Sequence, residues 1–245
     1  MSKTILITGS SKGIGKATAL RFAKDNNNIV INYLKDKEGI ESLILEIQKL
    51  GSKAIVVQAD VTKEDEAKRL VDSAINEFGT IDILINNVGG YIDGDDWNGS
   101  AQVWKDTFDK NIISALNVSK FVIPIFQKNK KGTIINLSSR YCSDGQIDAI
   151  AYAASKAAIV NITNTYAKLL APFGTANSIA PGPVNTGYWL RADKDEIEEN
   201  LNMIPLKSFV EPNEVADLIH YLCSDSARMI TGQNIFIDGG YSSIK

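Results

Sequence analysis

The sequence predicts an α/β protein whose doubly wound, seven-stranded parallel sheet forms a single domain over residues 1–245. Short apolar runs alternate with segments of helical periodicity along almost the whole chain, which is typical of repeated β-α-β units. A glycine-rich turn joins the first apolar run to the first helical segment. No Pro-, Gly- or Ser-rich linker and no internal repeat interrupts the pattern, so a second domain is not expected.

The individual elements follow in order from the two periodicities. Strands are predicted at residues 3–8, 29–33, 53–58, 81–86, 132–138, 176–180 and 234–238. Helices are predicted at residues 14–26, 37–50, 63–78, 101–128 with a break near the middle, 150–171 and 212–223. Because parallel strands need crossover connections, this order predicts helices on both faces of the sheet.

Composition limits the classes of partner and site. The net charge of −3 lacks the basic excess typical of nucleic-acid binding. The chain opens on a strand pattern rather than a signal peptide, and its richest later apolar run, Phe121 to Phe126, is too short to span a bilayer. We therefore expect a cytoplasmic protein with no nucleic-acid or membrane partner.

The single histidine disfavours hydrolase triads and multi-histidine metal sites, which all require histidine. His220 lies in an amphipathic helix pattern, as expected of an ordinary residue on a helix face. Cys142 and Cys223 are far apart, lack metal-ligand spacing, and are expected to be reduced thiols. No metal site is predicted.

The glycine-rich turn runs from Thr8 to Gly15 and predicts a phosphate-binding loop. Its glycines allow a tight turn and close approach of a pyrophosphate, and the following helix N-terminus favours negative charge. A P-loop is excluded by spacing, because Ile14 stands five residues after Gly9 where that motif needs glycine. The candidate cofactor-binding residues of the loop are Gly9, Ser11, Lys12, Gly13, Ile14 and Gly15.

Tyr152 and Lys156 form the candidate acid/base pair. Residues four apart on a helix share one face. An ammonium about 4 Å from a phenol is expected to lower the phenol pKa by roughly 2–3 units. The spacing also occurs by chance, but only Tyr152 has Ser139 thirteen residues upstream in a chain that opens on a glycine-rich loop.

Further motifs follow the loop in a fixed order. They are Asp60-Val61, Asn86-Asn87-Val88-Gly89, Pro181-Gly182 and Asp238-Gly239-Gly240. Together with the loop and the Tyr152 pair, they resemble the short-chain dehydrogenase/reductase family over essentially the whole chain. The resemblance implies a Rossmann-type fold and hydride transfer between a nicotinamide cofactor and a carbonyl or alcohol substrate.

The resemblance also implies roles for individual residues. Tyr152 would exchange the proton with the substrate oxygen, and Ser139 would hydrogen-bond the same oxygen. Lys156 would lower the pKa of Tyr152 and hold the nicotinamide ribose, while Asn111 would hold a water. Neighbouring Ser138 is the alternative to Ser139, but the separation from Tyr152 favours Ser139.

The resemblance also implies cofactor contacts outside the glycine loop. These lie mostly at the ends of the predicted strands. Asp60 resembles the adenine contact, and Thr186 is placed like the residue that holds the nicotinamide amide. The full set beyond the loop is Asp60, Val61, Asn87, Gly89, Tyr152, Lys156, Pro181, Gly182, Val184 and Thr186. Val88 replaces the family's alanine, and the segment from Gly174 to Asn177 is shorter than in the family, which predicts a shortened start of the sixth strand.

NADP is the predicted cofactor, with NAD as the alternative. NAD-preferring members commonly carry an acid at the end of the second strand, which would repel a 2′-phosphate. No acid stands between Ile31 and Lys35 here, and Lys12 and Lys35 are placed to face a phosphate. Under the alternative these two lysines are simply solvated.

The resemblance implies a carbonyl substrate, such as an acyl thioester in ketone reduction of the 3-oxoacyl type, with a sugar or polyol dehydrogenase as the alternative. Residues 186–203 resemble a substrate lid, and residues 90–97 and 141–146 are expected to line the other walls. The acidic run from Asp93 to Asp96 is interpreted as a solvated loop.

The helices predicted at residues 101–128 and 150–171 are those through which family members form homotetramers, so a homotetramer or homodimer is expected. A non-catalytic dinucleotide-binding regulator is disfavoured because Asn111, Ser139, Tyr152 and Lys156 are all present. An epimerase or dehydratase on the same fold usually has a longer chain.

Overall fold

The computed structural model describes residues 2–243 and confirms the predicted α/β class, with seven parallel strands in one sheet. The strand order is β3-β2-β1-β4-β5-β6-β7. The strands are β1 (Thr4–Ile7), β2 (Asn28–Tyr33), β3 (Lys53–Gln58), β4 (Ile83–Asn86), β5 (Gly132–Leu137), β6 (Gly174–Pro181) and β7 (Asn234–Ile237). The chain reverses its direction of winding between β3 and β4, so β1 has β2 on one side and β4 on the other.

Helices cover both faces of the sheet. They are α1 (Gly13–Ala23), α2 (Lys37–Lys49), α3 (Glu64–Phe78), α4 (Ala101–Phe108), α5 (Ser114–Asn129), α6 (Ile150–Leu170), α7 (Lys194–Met203) and α8 (Pro212–Leu222). Helices α1, α2 and α8 contribute to one buried apolar cluster, and α3, α5 and α6 contribute to the other. Among residues 2–243, no helix combines the length and apolarity that crossing a membrane requires.

The strand side chains divide between the two clusters by simple alternation. Ile5 and Ile7 of β1 point into the cluster with α1 and α8, whereas Leu6 points into the cluster with α3 and α5. Because both faces are covered, the strand is apolar throughout, as expected of a parallel sheet. The polar residues therefore concentrate beyond the carboxyl ends of the strands, where the winding reversal opens a crevice.

The break predicted within residues 101–128 is a five-residue π-helical segment, Asp109–Ile113, between α4 and α5. Such segments insert an extra residue into the helical turn and are frequent at functional sites. Asn111 lies at its centre and is buried. The single long helix of the prediction is thus three consecutive segments.

Two features differ from the sequence prediction. The segment predicted as a lid contains α7, which was not predicted as a helix because it buries none of its residues and so lacks an apolar stripe. The expectation of a shortened sixth strand is wrong, since β6 has eight residues and pairs with β5 from Gly174 onward.

Candidate active site

Hydrogen bonds from side chains join the ends of β1 and β4 at the base of the crevice. The Thr8 hydroxyl accepts hydrogen bonds from the backbone N–H groups of Asn87 at 3.0 Å and Val88 at 3.1 Å. In return, the Asn87 amide donates to the carbonyl oxygens of Thr8 and Gly9, both at 2.9 Å. The two segments that the sequence assigned to cofactor binding are therefore held together by side-chain hydrogen bonds.

Asn32 fixes the glycine loop from the other side and was missed by the sequence analysis. Its Oδ1 accepts from the backbone N–H of Gly9 at 3.1 Å, and its Nδ2 donates to the carbonyl of Ala59 at 3.0 Å. The buried Ser10 hydroxyl also bonds the Asn32 backbone. A polar residue inside the otherwise apolar β2 was the sequence signal that could have revealed this role.

The loop itself fits a pyrophosphate. Gly9 and Gly13 have φ angles of +62° and +55°, which residues with a side chain rarely adopt. A Cβ on Gly15 would lie 2.5 Å from the Gly9 carbonyl, and one on Gly13 would lie 2.8 Å from the Thr186 hydroxyl. Only glycines therefore leave the backbone accessible here, and the Thr186 hydroxyl lies directly over the loop at Gly13.

The N-terminus of α1 is the positive pole of this cradle. The helix begins at Gly13 after Lys12, has no side-chain cap and carries no acid in its first turn. Its first N–H groups and its dipole are thus available to an anion. The loop residues Ser11, Lys12 and Ile14 surround this end, and Lys12 is exposed.

The segment after β3 is anchored from α5. Asp60 Oδ1 accepts from the Thr62 hydroxyl at 2.7 Å and from the Thr62 backbone at 3.1 Å. The Asn117 amide donates to the carbonyls of Val61 at 3.1 Å and Thr62 at 3.0 Å. The Asp60-Val61 turn therefore has a fixed shape at the edge of the crevice, and Asn117 is a second residue that the sequence analysis missed.

Gly89 lies where the candidate catalytic residues meet the end of β4. A Cβ at this position would lie 2.7 Å from Asn111 Oδ1 and 2.9 Å from Lys156 Nζ. The Asn111 side chain is held between α4 and the segment after β4, accepting from the Gly90 N–H at 2.8 Å and donating to the Thr107 carbonyl at 3.0 Å. The structure thus brings together Asn111, Lys156 and Gly89, which are separated in sequence.

Tyr152 and Lys156 lie about one turn apart on the same face of α6. Lys156 Nζ lies 5.6 Å from the centre of the Tyr152 ring and donates to the Leu137 carbonyl at 2.8 Å. Ser139 acts to lower the pKa of the Tyr152 phenol, and its hydroxyl accepts from the Tyr141 N–H at 3.3 Å. Ser138 instead donates to the Lys156 carbonyl at 3.1 Å, so its hydroxyl is engaged with the backbone of α6.

The pKa directions at this pair differ from the sequence expectation. Burial, with a smaller contribution from the charge of Lys110, lowers the pKa of Lys156 to about 7. Burial raises the pKa of Tyr152, and this effect outweighs the hydrogen bond from Ser139 that lowers it. The expected lowering of the Tyr152 pKa by Lys156 is therefore wrong for the protein alone. An ammonium with a depressed pKa is a weaker source of positive charge.

Asp95 is the largest correction to the sequence analysis, which placed it in a solvated loop. Its side chain is fully buried, and its two carboxylate oxygens accept from the backbone N–H groups of Ala151 and Tyr152, each at 2.7 Å. Helix α6 has no cap from its own N-cap residue, Ala149. A carboxylate 57 residues before Tyr152 in sequence therefore caps the helix that carries it.

The turn after β6 completes the crevice. A Cβ on Gly182 would lie 2.9 Å from the Asp238 backbone, so Pro181-Gly182 packs closely against the Asp238-Gly239-Gly240 turn. Val184 is buried, and its carbonyl accepts from the Thr186 N–H at 2.6 Å. These contacts place Thr186 over the glycine loop.

The predicted lid begins directly after Thr186 and has internal contacts. The Tyr188 hydroxyl donates to Glu196 of α7 at 2.6 Å, and the Trp189 ring packs edge-on against Phe209 with ring centres 4.9 Å apart. Tyr188 and Leu190 are largely exposed, at 61% and 66%. The segment thus presents apolar side chains at the mouth of the crevice.

Known proteins resemble the chain over nearly its full length. A family model described as enoyl-(acyl carrier protein) reductase matches residues 9–242. The 3-oxoacyl-[acyl-carrier-protein] reductase FabG of Staphylococcus epidermidis is 35% identical over 241 residues, covering 98% of this chain and 99% of that protein. Glucose 1-dehydrogenase 2 of Bacillus subtilis is 37% identical over 242 residues, covering 97% and 94%.

A solved structure agrees with these relatives. The 7α-hydroxysteroid dehydrogenase complexed with NADH and 7-oxo glycochenodeoxycholic acid has a TM-score of 0.92 and 31% identity, covering 97% of this chain and 93% of that one. The resemblance found in the motifs is thereby confirmed along the chain. The protein belongs to the short-chain dehydrogenase/reductase family and is an oxidoreductase that transfers hydride between a nicotinamide cofactor and a carbonyl or alcohol substrate.

Proposed function

We propose that the protein is an NADP-preferring reductase of ketones, with 3-oxoacyl compounds as the first substrate class to test. The observation that carries the proposal is the Tyr152 phenol, whose pKa Ser139 acts to lower and which has Lys156 on the same helix face, with Nζ 5.6 Å from the ring centre. The 35% identity to a 3-oxoacyl-[acyl-carrier-protein] reductase supports the substrate class. When bound, the nicotinamide supplies the hydride.

The protein's own residues would then hold the carbonyl and deliver one proton. Ser139 and Tyr152 both donate to the substrate oxygen, and Tyr152 gives up its proton as that oxygen becomes an alkoxide. A raised pKa keeps the phenol protonated at neutral pH, which suits the acid needed for reduction. Lys156 Nζ and Asn111 Oδ1 both face Gly89. Lys156 would return a proton to Tyr152, and Asn111 would hold the water that links Lys156 to solvent.

The rest of the crevice would hold the dinucleotide. The pyrophosphate would lie on the cradle formed by Gly9, Gly13 and the first turn of α1. The adenine would lie by Asp60-Val61, and the nicotinamide between Thr186 and the Tyr152 pair. Asn87 and Gly89 on one wall and Pro181-Gly182 and Val184 on the other would set the width of the binding site.

NADP preference rests on charges at the end of β2. Lys12 and Lys35 are exposed, and neither forms a salt bridge within the described residues. The nearest acid after β2, Asp36, caps α2 by accepting from the Gly39 N–H at 3.1 Å. Its carboxylate is thus turned to its own helix, which leaves the lysines to attract a 2′-phosphate.

We further propose a cytoplasmic homotetramer or homodimer built on α4, α5 and α6. A second candidate function, sugar or polyol oxidation, is favoured by the 37% identity to glucose 1-dehydrogenase 2. The two functions differ in substrate and direction but use the same Tyr152 site. Size-exclusion chromatography with light scattering measures the assembly.

Absorbance of the reduced cofactor during turnover tests the function. The purified protein should oxidise NADPH with 3-oxoacyl thioesters and 3-oxo acids, and faster than it reduces NADP with glucose or polyols. Faster sugar oxidation would select the second candidate. No turnover with any ketone, aldehyde, sugar or polyol would contradict both.

A further inference from the structure

Arg140 is a buried cation next to the proposed reaction site. It follows Ser139 directly and has only 8% of its surface exposed. Arginine is rarely buried to this extent unless an acid balances its charge. Among residues 2–243, no carboxylate lies within salt-bridge distance of Arg140.

Two tyrosine rings cover the guanidinium in place of an acid. Its Cζ lies 4.2 Å from the centre of the Tyr141 ring and 3.8 Å from that of Tyr241. One hydrogen bond is made, from Nη2 to the Tyr141 hydroxyl at 2.9 Å. A guanidinium has five N–H donors, so most of the donor edge has no acceptor within the described protein.

The Arg140 side chain is not completely enclosed. The side-chain atoms that are fully enclosed without a partner are, in the described part of the chain, Asn86 Oδ1 and Thr107 Oγ1. No nitrogen of Arg140 belongs to this group, and 8% of the residue's surface is exposed. The tyrosines thus fix the plane of the guanidinium and leave its edge available to a planar anion.

The Tyr141 ring connects Arg140 to Tyr152. The Tyr141 ring, which packs on Arg140, also packs edge-on against the Tyr152 ring with centres 6.1 Å apart. The positive charge of Arg140 is one of the influences that lower the pKa of Tyr152 against the larger effect of burial. Arg140, Tyr141 and Tyr152 therefore form a continuous series of contacts that ends at the side chain of the proposed acid.

We propose that Arg140 binds a carboxylate carried by the substrate, so that the protein reduces an oxo acid in preference to a neutral ketone or thioester. The inference rests on the proposed ketone reduction and narrows its substrate class. A paired carboxylate would give the buried guanidinium its missing partner with two parallel hydrogen bonds, the geometry that arginine favours.

Matched pairs of substrates test this. Turnover with NADPH is measured for acetoacetate against methyl acetoacetate, and for 4-oxopentanoate against its methyl ester. The wild-type protein should favour each acid. Arg140→Met should lower kcat/KM for the acids by about 100-fold, the effect of truncating one partner of a desolvated charge pair, and for the esters by less than about 3-fold. Arg140→Lys should lose part of the acid preference.

Arg228→Met, which removes an exposed arginine, is the control. It should leave the ratio of kcat/KM for the acid to kcat/KM for the ester unchanged in both substrate pairs. Equal losses for acid and ester in Arg140→Met, or a wild-type protein without acid preference, would overturn the inference while leaving ketone reduction intact. Calorimetric titration of 4-oxopentanoate into protein saturated with NADP measures the affinity for this acid independently of turnover. Binding that Arg140→Lys and Arg140→Met do not weaken would also overturn it.

Discussion

The carboxylate of Asp95 holds the backbone of Tyr152 in place, with Oδ2 accepting from the Tyr152 N–H at 2.7 Å. Its second oxygen takes the neighbouring N–H of Ala151 at the same distance. A buried charge with both oxygens engaged fixes where α6 begins, and with it the height of the Tyr152 phenol in the crevice. The relationship makes Asp95 a positioning residue for the proposed acid.

Replacing Asp95 should reduce turnover without removing the cofactor site. Asp95→Ala leaves two buried N–H groups without acceptors, at about 1–3 kcal/mol each, whereas Asp95→Asn keeps one acceptor. We expect kcat to fall by about 10-fold in Asp95→Asn and about 100-fold in Asp95→Ala, with NADPH binding nearly unchanged. Asp96→Asn is the matched control, since exposed Asp96 caps its own turn. Equal kcat values in all variants would refute the positioning role.

Tyr152→Phe should abolish the chemical step and spare the fold. Loss of a positioned acid costs about 10²–10⁴-fold in rate. NADPH affinity, measured by fluorescence titration, should stay within about 3-fold, because one hydroxyl contributes little to binding a whole dinucleotide. Tyr166→Phe, at a largely buried tyrosine later in the same helix, is the control and should retain activity. An active Tyr152→Phe variant would rule out the assignment.

The buried Lys156 should make stability depend on pH. Its pKa is lowered from 10.5 to about 7, so between these values the unfolded chain binds more protons than the folded one, and stability rises with pH. Below pH 7 Lys156 is protonated in both the folded and the unfolded chain, so the full free-energy cost of burying its charge remains. Cys223, whose pKa is raised from 9.0 to about 12, acts in the opposite direction above pH 9.

Denaturant unfolding between pH 7 and 9 therefore measures the contribution of Lys156 to stability separately from that of Cys223. The free energy of unfolding of the wild-type protein should increase by about 2 kcal/mol from pH 7 to pH 9 relative to that of Lys156→Met. The variant should not show this increase. The comparison is made without cofactor. A difference between the two proteins that stays constant with pH would show that Lys156 titrates near its ordinary pKa.

Lys12 and Lys35 should set cofactor preference. Removing both charges in Lys12→Ala/Lys35→Ala should raise the KM for NADPH by about 10-fold, roughly the value of two exposed charge contacts to a phosphate. The KM for NADH should hardly change. The loss should shrink at high salt because exposed charges are screened. Lys24→Ala, at another exposed lysine, is the control. A wild-type preference for NADH would overturn the proposal.

Gly15 tests the phosphate cradle. A Cβ there would lie 2.5 Å from the Gly9 carbonyl and 2.7 Å from Asn87 Nδ2, so Gly15→Ala must displace the loop. We expect a loss of about 1–3 kcal/mol in unfolding free energy and at least 10-fold weaker NADPH binding. Gly145→Ala, where a Cβ meets no atom within 4 Å, should alter neither quantity.

Much of the fold was readable from the chain because strands and helices leave local periodicities. Alternating apolar runs predicted the parallel sheet, and the break at residues 109–113 was visible as an interrupted helical pattern. Helix α7 was not predicted from the sequence because none of its residues is buried. A helix stabilised without an apolar stripe gives no periodic signal.

By itself, the sequence determined the α/β fold, the family and the set of residue types gathered at the crevice, because these depend on spacing along the chain. The tertiary structure alone decided which groups meet. It engaged the Ser138 hydroxyl with the Lys156 carbonyl, turned Asp95 from a presumed surface acid into the cap of α6, and placed Arg140 between two tyrosine rings with no acid partner among residues 2–243. The physical reason is that burial and hydrogen bonding depend on partners distant in sequence, such as the 57 residues between Asp95 and Tyr152.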